Sequence, residues 1–194
     1  GPTIFGDSPY QPSSGCAGNI YFIDLDKLVD EGLLEKEEIL GYNWGTDESE
    51  IDYAALHQNR CKILQKAFER FDTNAQDFQD FVKKQSEWLE QYALFMTLKT
   101  DNLYKNWSEW PSEYRNTQTV ALEKYQKKNY NTITFWKFCQ YKFFEQWEDL
   151  KNYANSKGIY IIGDISFYVG YDSVDVWAER QLFMMSANDT PEYV

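Results

Sequence analysis

The amino-acid sequence predicts an α/β fold that is mostly helical, and three observations support this prediction. Four long stretches repeat apolar residues at about the 3.6-residue period of an amphipathic helix. Gly158, which is suited to end a helix in a left-handed turn, precedes a short apolar run at residues 159–162. Asp164 follows closely, where the strands of a parallel β/α barrel carry active-site residues. We therefore expect a buried strand at residues 159–162 with a carboxylate near its end.

The first quarter of the chain lacks a long helical pattern. Residues 1–25 are rich in Gly, Pro and Ser, which predicts an ordered loop running into a short strand or turn at residues 21–25. Residues 26–41 are acidic and helix-like with a break at Gly32, and residues 41–49 form a polar connector. Long loops in compact domains usually have a function, so the opening loop is a candidate site.

The four amphipathic stretches fill the middle of the chain and predict a helical region. We expect helices at residues 53–71, 75–99, 117–128 and 132–156. Most charged side chains lie off the apolar stripes, which indicates solvated faces rather than a binding surface. After residue 177 the periodicity is lost, and the remaining residues predict an irregular connection.

Composition argues against several classes of partner. A net charge of −12 and a pI near 4.5 disfavour nucleic acid and anionic membranes, because such partners require an excess of Lys and Arg. No charged leader with an apolar core opens the chain and no run approaches about 18 apolar residues, so we expect neither export nor membrane insertion. At 194 residues the chain can bury a core, but a complete eightfold barrel takes about 250.

Cysteine and histidine content predicts neither disulfides nor a metal site. Cys16, Cys61 and Cys139 are widely spaced and show no CxxC pairing, which is typical of the reduced thiols of a cytosolic protein. The single histidine, His57, has no partner at metal-ligand spacing and is expected to be a surface or packing residue. Aromatic residues make up 18% of the chain, and we expect most of them in the core, although such rings also stack on sugars.

Three segments carry a family resemblance, and they occur in the family's order. They are GPTIFGDSPYQPSSGCAGNIYFIDL at residues 1–25, WLEQYALFMTLK at residues 88–99 and GDISFYVGYDSVDVW at residues 163–177. Together they resemble the GDSPYQ, WLEDYALFMALK and GD…DSADVW segments of the 4-α-glucanotransferases, the amylomaltase or disproportionating-enzyme family. Departures such as Ser166 for Pro and Ile20 for Pro leave every matched acid and Tyr10 in place.

The resemblance implies a fragment of a (β/α)8 TIM barrel with a large helical insertion. Residues 1–50 would form an active-site loop and connecting elements after the second barrel strand, residues 51–157 the insertion, and residues 158–194 the third strand with its loop. The implied enzyme acts in starch or glycogen metabolism in the cytoplasm, without a cofactor or metal. It transfers a segment of an α-1,4-glucan to the 4-hydroxyl of an acceptor glucan or glucose by a retaining double displacement, so the partners would be maltooligosaccharides.

The same resemblance implies six substrate-binding residues: Asp7, Ser8, Tyr10, Asp164, Asp172 and Ser173. Several of them have a structural alternative. Asp164 could cap a helix or close a turn, the GDSPYQ segment could be an ordinary turn with a packed tyrosine, and Asp172 with Ser173 could cap the next helix. Three nearby polar side chains could hydrogen-bond to sugar hydroxyls, or could equally hydrogen-bond within the opening loop: Gln11, Ser14 and Asn19. The carbohydrate hypothesis requires that Asp164 and Tyr10 lie close together and face solvent.

No catalytic residue is assigned within the chain. Retaining transfer needs a nucleophilic carboxylate and a second carboxyl group about 5–5.5 Å away. The family carries these acids in Arg-x-Asp-His and Glu-Asp-Leu-Gly segments, whereas here Glu148-Asp149-Leu150 is followed by Lys151 within a predicted helix. We therefore expect the chain alone to be inactive. Two alternatives stay open: an α-amylase-like hydrolase, and a non-enzymatic helical module that binds a partner protein.

Overall fold

The computed structural model describes residues 1–3, 8–47, 49–117, 119–164, 167–186 and 191–192 of the chain. Two compact units are present. The first unit comprises Gly1–Gly18, Gln85–Lys137 and Gly163–Val194, and the second comprises Asn19–Lys84 and Phe138–Ile162. The first unit therefore joins the opening loop, the middle of the chain and its last part.

The second unit begins with short helices whose ends are capped by acidic residues. After a 3₁₀ turn at Ile20–Phe22, Asp24 caps α1 (Leu25–Asp30), and a capping box formed by Glu35 and Glu38 opens α2 (Lys36–Leu40). The predicted break between them is confirmed, because Gly32 has a φ of 73°. Where a short strand or turn was predicted at residues 21–25, the chain forms the 3₁₀ turn and then begins α1.

Longer helices complete the second unit. Asp52 accepts a hydrogen bond from the Ala55 amide and opens α3 (Tyr53–Arg70), which matches the predicted helix closely. The buried side chains of α3 form two rows with a spacing of four residues, as a one-sided helix requires: Ala55, Asn59, Ile63 and Ala67 in one row, and Leu64 and Phe68 in the other. The next helix, α4 (Gln76–Lys84), ends where the second unit passes into the first.

The predicted helix at residues 75–99 is wrong in one respect, because the chain breaks it into two. Gln85 has non-helical dihedrals (φ −99°, ψ 10°) and is the N-cap of α5 (Ser86–Asp101). Its side-chain oxygen accepts a hydrogen bond from the Trp88 indole at 2.9 Å. The apolar pattern continues across Gln85, so the sequence alone does not reveal this boundary between units.

The last two predicted helices, at residues 117–128 and 132–156, form within a few residues of their expected positions. A 3₁₀ turn at Trp107–Glu109 precedes α6 (Val120–Lys128), whose cap is Thr119. The long α7 (Tyr130–Ser156) begins in the first unit and continues into the second, and α8 (Val174–Ala178) follows with a 3₁₀ turn at Arg180–Leu182. None of the helices formed by the described residues is long and apolar enough to cross a lipid bilayer.

The core of the first unit is built around the rings of Phe95, Trp110 and Trp177. Their ring centroids lie 5.3 to 6.0 Å apart, a separation typical of favourable aromatic packing. The indole N–H of Trp177 donates to the Tyr114 carbonyl at 2.9 Å, and that of Trp110 donates to the Lys105 carbonyl at 3.2 Å. Trp177 is thus a core residue, as predicted, and its buried donor is satisfied.

The core of the second unit is also aromatic. Phe71 packs edge-on against Phe78 at 5.3 Å and lies 4.8 Å from Phe138 of α7. Phe78 in turn meets Tyr141 at 5.5 Å. In these two clusters the aromatic residues serve the helical cores, as the composition led us to expect.

The predicted buried strand at residues 159–162 does not form. Gly158 does close α7 in the left-handed conformation, with a φ of 75°. Beyond it the chain is not hydrogen-bonded as a strand, and Ile159 and Ile162 are 59% and 95% exposed. The described residues hold only two isolated bridges, at Thr3 with Pro12 and Met185 with Pro191. A parallel strand needs neighbouring strands on either side, and the described part of the chain supplies none, so a TIM barrel is not shown within it.

Candidate functional site

An open cleft of about 1200 Å³ lies in the first unit and is lined by three of the six predicted site residues, Ser8, Tyr10 and Asp172. One wall is the opening loop, through Ser8, Tyr10 and neighbouring polar residues. Most of the remaining lining comes from several residues within 167–176 and 179–185. Trp88, Gln91 and Asn106 from the middle of the chain add to it. The cleft therefore joins all three sequence segments that carry the family resemblance.

Backbone hydrogen bonds attach the opening loop to the segment before α8. The amide of Gly170 donates to the Pro12 carbonyl at 3.2 Å, and the amide of Val174 donates to the Ser13 carbonyl at 2.9 Å. The Gly15 amide donates to the Asp175 carboxylate at 3.0 Å. Gly15 also lies close to α8, because a Cβ atom there would meet an Asp175 oxygen at 3.4 Å. These contacts fix the loop, whose described residues before Ile20 form no helix and only one isolated bridge, between Thr3 and Pro12.

Tyr10 and Asp164 meet, as the carbohydrate hypothesis requires. The Tyr10 hydroxyl donates to an Asp164 carboxylate oxygen at 3.4 Å, a long hydrogen bond between residues 154 positions apart. Both side chains are exposed, and Tyr10 has 62% of its surface accessible. Ser8 supports the turn, since its hydroxyl accepts from the Tyr10 amide at 3.3 Å. The expected proximity and exposure of the two side chains are confirmed.

Asp172 lies in the cleft wall, where protein groups already occupy both carboxylate oxygens. One oxygen accepts from the Trp107 amide at 3.1 Å, and the other pairs with the buried ammonium of Lys99. Ser173 is fully buried, and its hydroxyl accepts from the Val176 amide at 3.3 Å, which caps α8. The capping alternative is thus confirmed for Ser173, whereas Asp172 bonds to Lys99 and Trp107 and does not cap α8. Asp7 lies outside the described residues.

The other polar residues of the opening segment separate into two groups. Gln11 and Ser14 line the cleft, and Ser14 also accepts hydrogen bonds from the Cys16 and Ala17 amides. Asn19 belongs to the second unit, where it caps the first 3₁₀ turn and so closes the loop on itself. His57 is exposed on α3 in the second unit, as predicted.

Sequence reasoning missed several cleft residues, and some of them had a detectable signal. Asp175 follows Asp172 by one helical turn in DSVDVW, so the same short motif placed both on the cleft side. Trp88 and Gln91 belong to the WLEQYALFMTLK segment, whose similarity was noted without assigning it a site. Met184 and Met185 lie in a region without periodicity, and nothing in the sequence indicated that they would join the cleft.

The electrostatic character of the cleft is acidic, and it contains one thiol. Partial burial, and then the Asp175 carboxylate, raise the pKa of Cys16 above its usual value. The described residues contain no cluster of His, Cys, Asp and Glu that could hold a metal ion. Glu148 and Asp149 lie on α7 in the second unit, where they pair with Lys151 and Lys27.

Comparisons with known proteins identify the family of the chain. A profile of the 4-alpha-glucanotransferase family matches residues 1–190. The chain is 43% identical over 193 residues to a 4-alpha-glucanotransferase of Streptococcus pneumoniae, covering 97% of the chain and 38% of the relative. It is 40% identical over 187 residues to one from Clostridium butyricum, covering 96% and 38%.

A solved structure is similar over nearly the same extent. It is an amylomaltase from Streptococcus agalactiae in complex with acarbose, with a TM-score of 0.90 and 37% identity. The match covers 97% of this chain and 39% of the amylomaltase. The chain thus spans about 38% of the length of the curated relatives named above. Because the family profile extends over almost the whole sequence, the chain belongs to the 4-alpha-glucanotransferase family.

Proposed function

We propose that the chain supplies the glucan-binding part of a 4-alpha-glucanotransferase, which transfers a segment of an α-1,4-glucan to the 4-hydroxyl of another glucan or glucose. The observation that carries this proposal is the contact between Tyr10 and Asp164 beside the open cleft. The complex of the similar amylomaltase with acarbose supports a saccharide as the ligand.

Tyr10 and Asp164 offer the two kinds of contact that a glucosyl unit needs. The exposed ring of Tyr10 can pack against the C–H face of a sugar, and its hydroxyl can donate or accept a hydrogen bond. The exposed Asp164 carboxylate accepts hydrogen bonds from sugar hydroxyls. Ser8 and Gln11 add polar groups on the same wall of the cleft. We assign Asp7 to this group by its place in the GDSPYQ segment, and Asp172 and Ser173 to support of the cleft wall.

Bond cleavage would require groups from outside these 194 residues. A retaining double displacement needs a carboxylate that forms a covalent glucosyl intermediate and a second carboxyl group that acts first as acid and then as base. We propose that residues 158–194 contribute the third strand and loop of a (β/α)8 barrel, with residues 1–50 as its active-site loop and residues 51–157 as an insertion. In that setting residues 159–162 would be covered by neighbouring strands. We also infer a cytoplasmic location from the three free cysteines.

Glucan binding by the 194-residue polypeptide tests the proposal. We expect maltoheptaose to change the tryptophan fluorescence of the chain, since Trp88 lines the cleft. The Tyr10→Ala and Asp164→Asn variants should each weaken binding by about tenfold, which corresponds to about 1.4 kcal/mol of lost contact. Tyr160→Ala is the matched control, because Tyr160 is 81% exposed and belongs to the second unit. An unchanged affinity in both cleft variants would contradict the assignment, and no response at all would favour a helical adaptor.

Product analysis tests whether the two catalytic carboxyl groups lie outside the chain. We expect the polypeptide alone to leave maltotriose unchanged, because its sequence lacks the Arg-x-Asp-His and Glu-Asp-Leu-Gly segments in which the family carries the catalytic pair. Formation of glucose together with longer maltodextrins would show that the chain does contain a catalytic pair. Release of shorter sugars that does not depend on added glucose acceptor would instead indicate a hydrolase.

A further inference from the structure

Lys99 is the most deeply buried cation in the described first unit, and its surroundings connect it to the cleft. It lies near the end of α5 and is 0% exposed. Burying an ammonium group is costly unless it is paired and hydrogen-bonded. The Lys99 ammonium donates to the carbonyls of Tyr104 at 3.2 Å and Lys105 at 2.8 Å and forms an ion pair with Asp172. It is therefore held by three oxygen atoms.

The two backbone acceptors of Lys99 lie in an unusual turn. Leu103 and Tyr104 both have positive φ angles, of 55° and 58°. Residues with a Cβ atom adopt this conformation at a cost and need surrounding contacts to hold it. Lys99 provides such contacts to the second residue of this pair and to the residue that follows it, through the carbonyls of Tyr104 and Lys105. This lysine thus keeps the chain in place where it leaves α5.

Asp172 extends the connection from this turn to the cleft wall. Besides the Lys99 ammonium, its carboxylate accepts from the Trp107 amide, and the Trp107 indole donates to the Tyr171 carbonyl at 2.8 Å. Trp107 is fully buried and packs against the Tyr171 ring at 5.2 Å. Trp107 is therefore hydrogen-bonded to both residues: its indole N–H donates to Tyr171, and its backbone amide donates to Asp172.

The opening loop is hydrogen-bonded to residues on either side of Tyr171 and Asp172. Gly170 holds Pro12, and Val174 holds Ser13, each through a backbone hydrogen bond. Pro12 and Ser13 are buried, whereas Tyr10 two residues earlier is exposed to the cleft. A continuous series of hydrogen bonds thus runs from Lys99 through Asp172 and its neighbours to the residues that follow Tyr10.

From this chain of contacts we propose that Lys99 is a positioning residue for the glucan site: its ion pair with Asp172 holds residues 170–174, which in turn hold the opening loop and Tyr10. The inference rests on the proposed function for the identity of the ligand, maltoheptaose being the probe. Lys99 itself is buried and does not touch the sugar. Its effect on binding is transmitted through backbone hydrogen bonds that can be measured separately.

The test compares Lys99→Met with a lysine of similar burial elsewhere. Methionine keeps an unbranched side chain and removes the charge, which leaves Asp172 without its cation. The matched control is Lys142→Met, since Lys142 is 4% exposed, pairs with Glu31 and Glu145, and lies in the second unit. Both variants should unfold at lower temperature. Only Lys99→Met should weaken maltoheptaose binding, by about tenfold, when measured where both are folded.

Hydrogen exchange provides a readout that does not require a ligand. We expect the amides of Gly170 and Val174 to exchange faster in Lys99→Met, while the amides of α3 keep their wild-type rates. Asp172→Asn serves as a second variant, because it removes the ion pair from the other side and leaves the buried lysine in place. Non-additive effects of the two substitutions in the double variant would show that they act through one contact.

The possible outcomes distinguish the inference from the proposed function. If the wild-type chain does not bind maltoheptaose, the proposed function fails, and the exchange rates of Gly170 and Val174 still decide the positioning role. If the wild-type chain binds and Lys99→Met binds equally well with unchanged exchange at these amides, the inference is wrong. Equal loss of binding in Lys142→Met would also overturn it, because the effect would then follow from general destabilisation.

Discussion

At the scale of single residues, the cleft combines exposed groups that can meet a ligand with buried groups that hold them. Tyr10 and Asp164 belong to the first kind, since they touch each other and remain open to solvent. Asp172 and Ser173 belong to the second, since their polar atoms are engaged by Lys99, Trp107 and the start of α8. Asp164 and Asp172 lie in the same short segment at residues 163–177, but one is exposed and the other is held by protein groups.

Cys16 allows a prediction about reactivity. Because its pKa is raised, less of the thiol is ionised at pH 7.5 than in an unfolded chain, and the thiolate is the reactive form. We expect alkylation of Cys16 by N-ethylmaleimide, measured by mass spectrometry of its peptide, to be slower in the folded chain than in urea. The difference should diminish as the pH rises above the raised pKa.

Two variants test how much Asp175 contributes to the raised pKa of Cys16. Asp175→Asn removes a negative charge that raises the Cys16 pKa, so alkylation should become faster. Glu179→Gln is the matched control, because Glu179 also lines the cleft but is not among the groups that shift this thiol. Equal acceleration by both variants would mean that the general acidity of the cleft, rather than Asp175, governs the thiol.

How far the site could be predicted from sequence depends on where its determinants lie. The family resemblance of two short segments predicts a common site for Tyr10, Ser8 and Asp164, and the contact that this requires between Tyr10 and Asp164 is present. The partner of Asp172 could not be found in this way, because Lys99 is 73 positions away and the sequence gives no sign of the pairing. Burial decides the role of Asp172, and burial depends on the folded chain.

At the scale of elements, the amphipathic period predicted the positions of α3, α6 and α7 within a few residues. Caps account for the agreement, since Asp52 and Thr119 stand at the starts of α3 and α6. Two elements were not predicted correctly, for different reasons. The break at Gln85 coincides with the passage between units, and residues 159–162 lack neighbouring strands among the described residues.

The end of α7 provides an element-scale prediction. Gly158 has a φ of 75° and open space where a Cβ atom would lie. Gly158→Ala therefore adds no steric contact and only the cost of placing an alanine in the left-handed conformation. We expect a loss of about 1 kcal/mol of unfolding free energy, or roughly 2–4 °C in the thermal midpoint of a chain of this size. Gly163→Ala is the matched control, because Gly163 also has open space but lacks a positive φ. Equal destabilisation by both would show that the left-handed turn is not the cause.

At the scale of the whole molecule, an ion-pair network in the second unit makes stability depend on pH. The Arg70 guanidinium donates to both oxygens of Glu38, at 2.6 and 3.0 Å, and to the Leu33 carbonyl at 3.0 Å. The hydrogen bond from Arg70, followed by that from the Glu35 amide, lowers the pKa of Glu38 from its usual 4.5 to about 2. Because the folded-state pKa is depressed, the stabilisation is present above pH 4.5 and is lost as the pH falls toward 2.

Thermal unfolding at several pH values tests this network. We expect Glu38→Gln to lower the midpoint at pH 7, with a difference from wild type that shrinks as the pH falls below 4.5. Glu37→Gln is the control, since Glu37 is an exposed neighbour on the same helix and its loss should change the unfolding free energy by less than about 0.5 kcal/mol. A difference for Glu38→Gln that stayed constant down to pH 2 would exclude the ion pair as its origin.

The hydrogen bonds of the opening loop have a consequence for the order in which the chain folds. Its partners lie far along the sequence, 154 residues away for Tyr10 with Asp164 and 160 for Gly15 with Asp175. During synthesis on the ribosome the loop emerges long before the segment that fixes it, and closing so large a separation carries an entropic cost. The helices of the second unit can form in that interval from local contacts. The contacts between the opening loop and residues 164–175 are therefore made last, when the two distant segments finally meet.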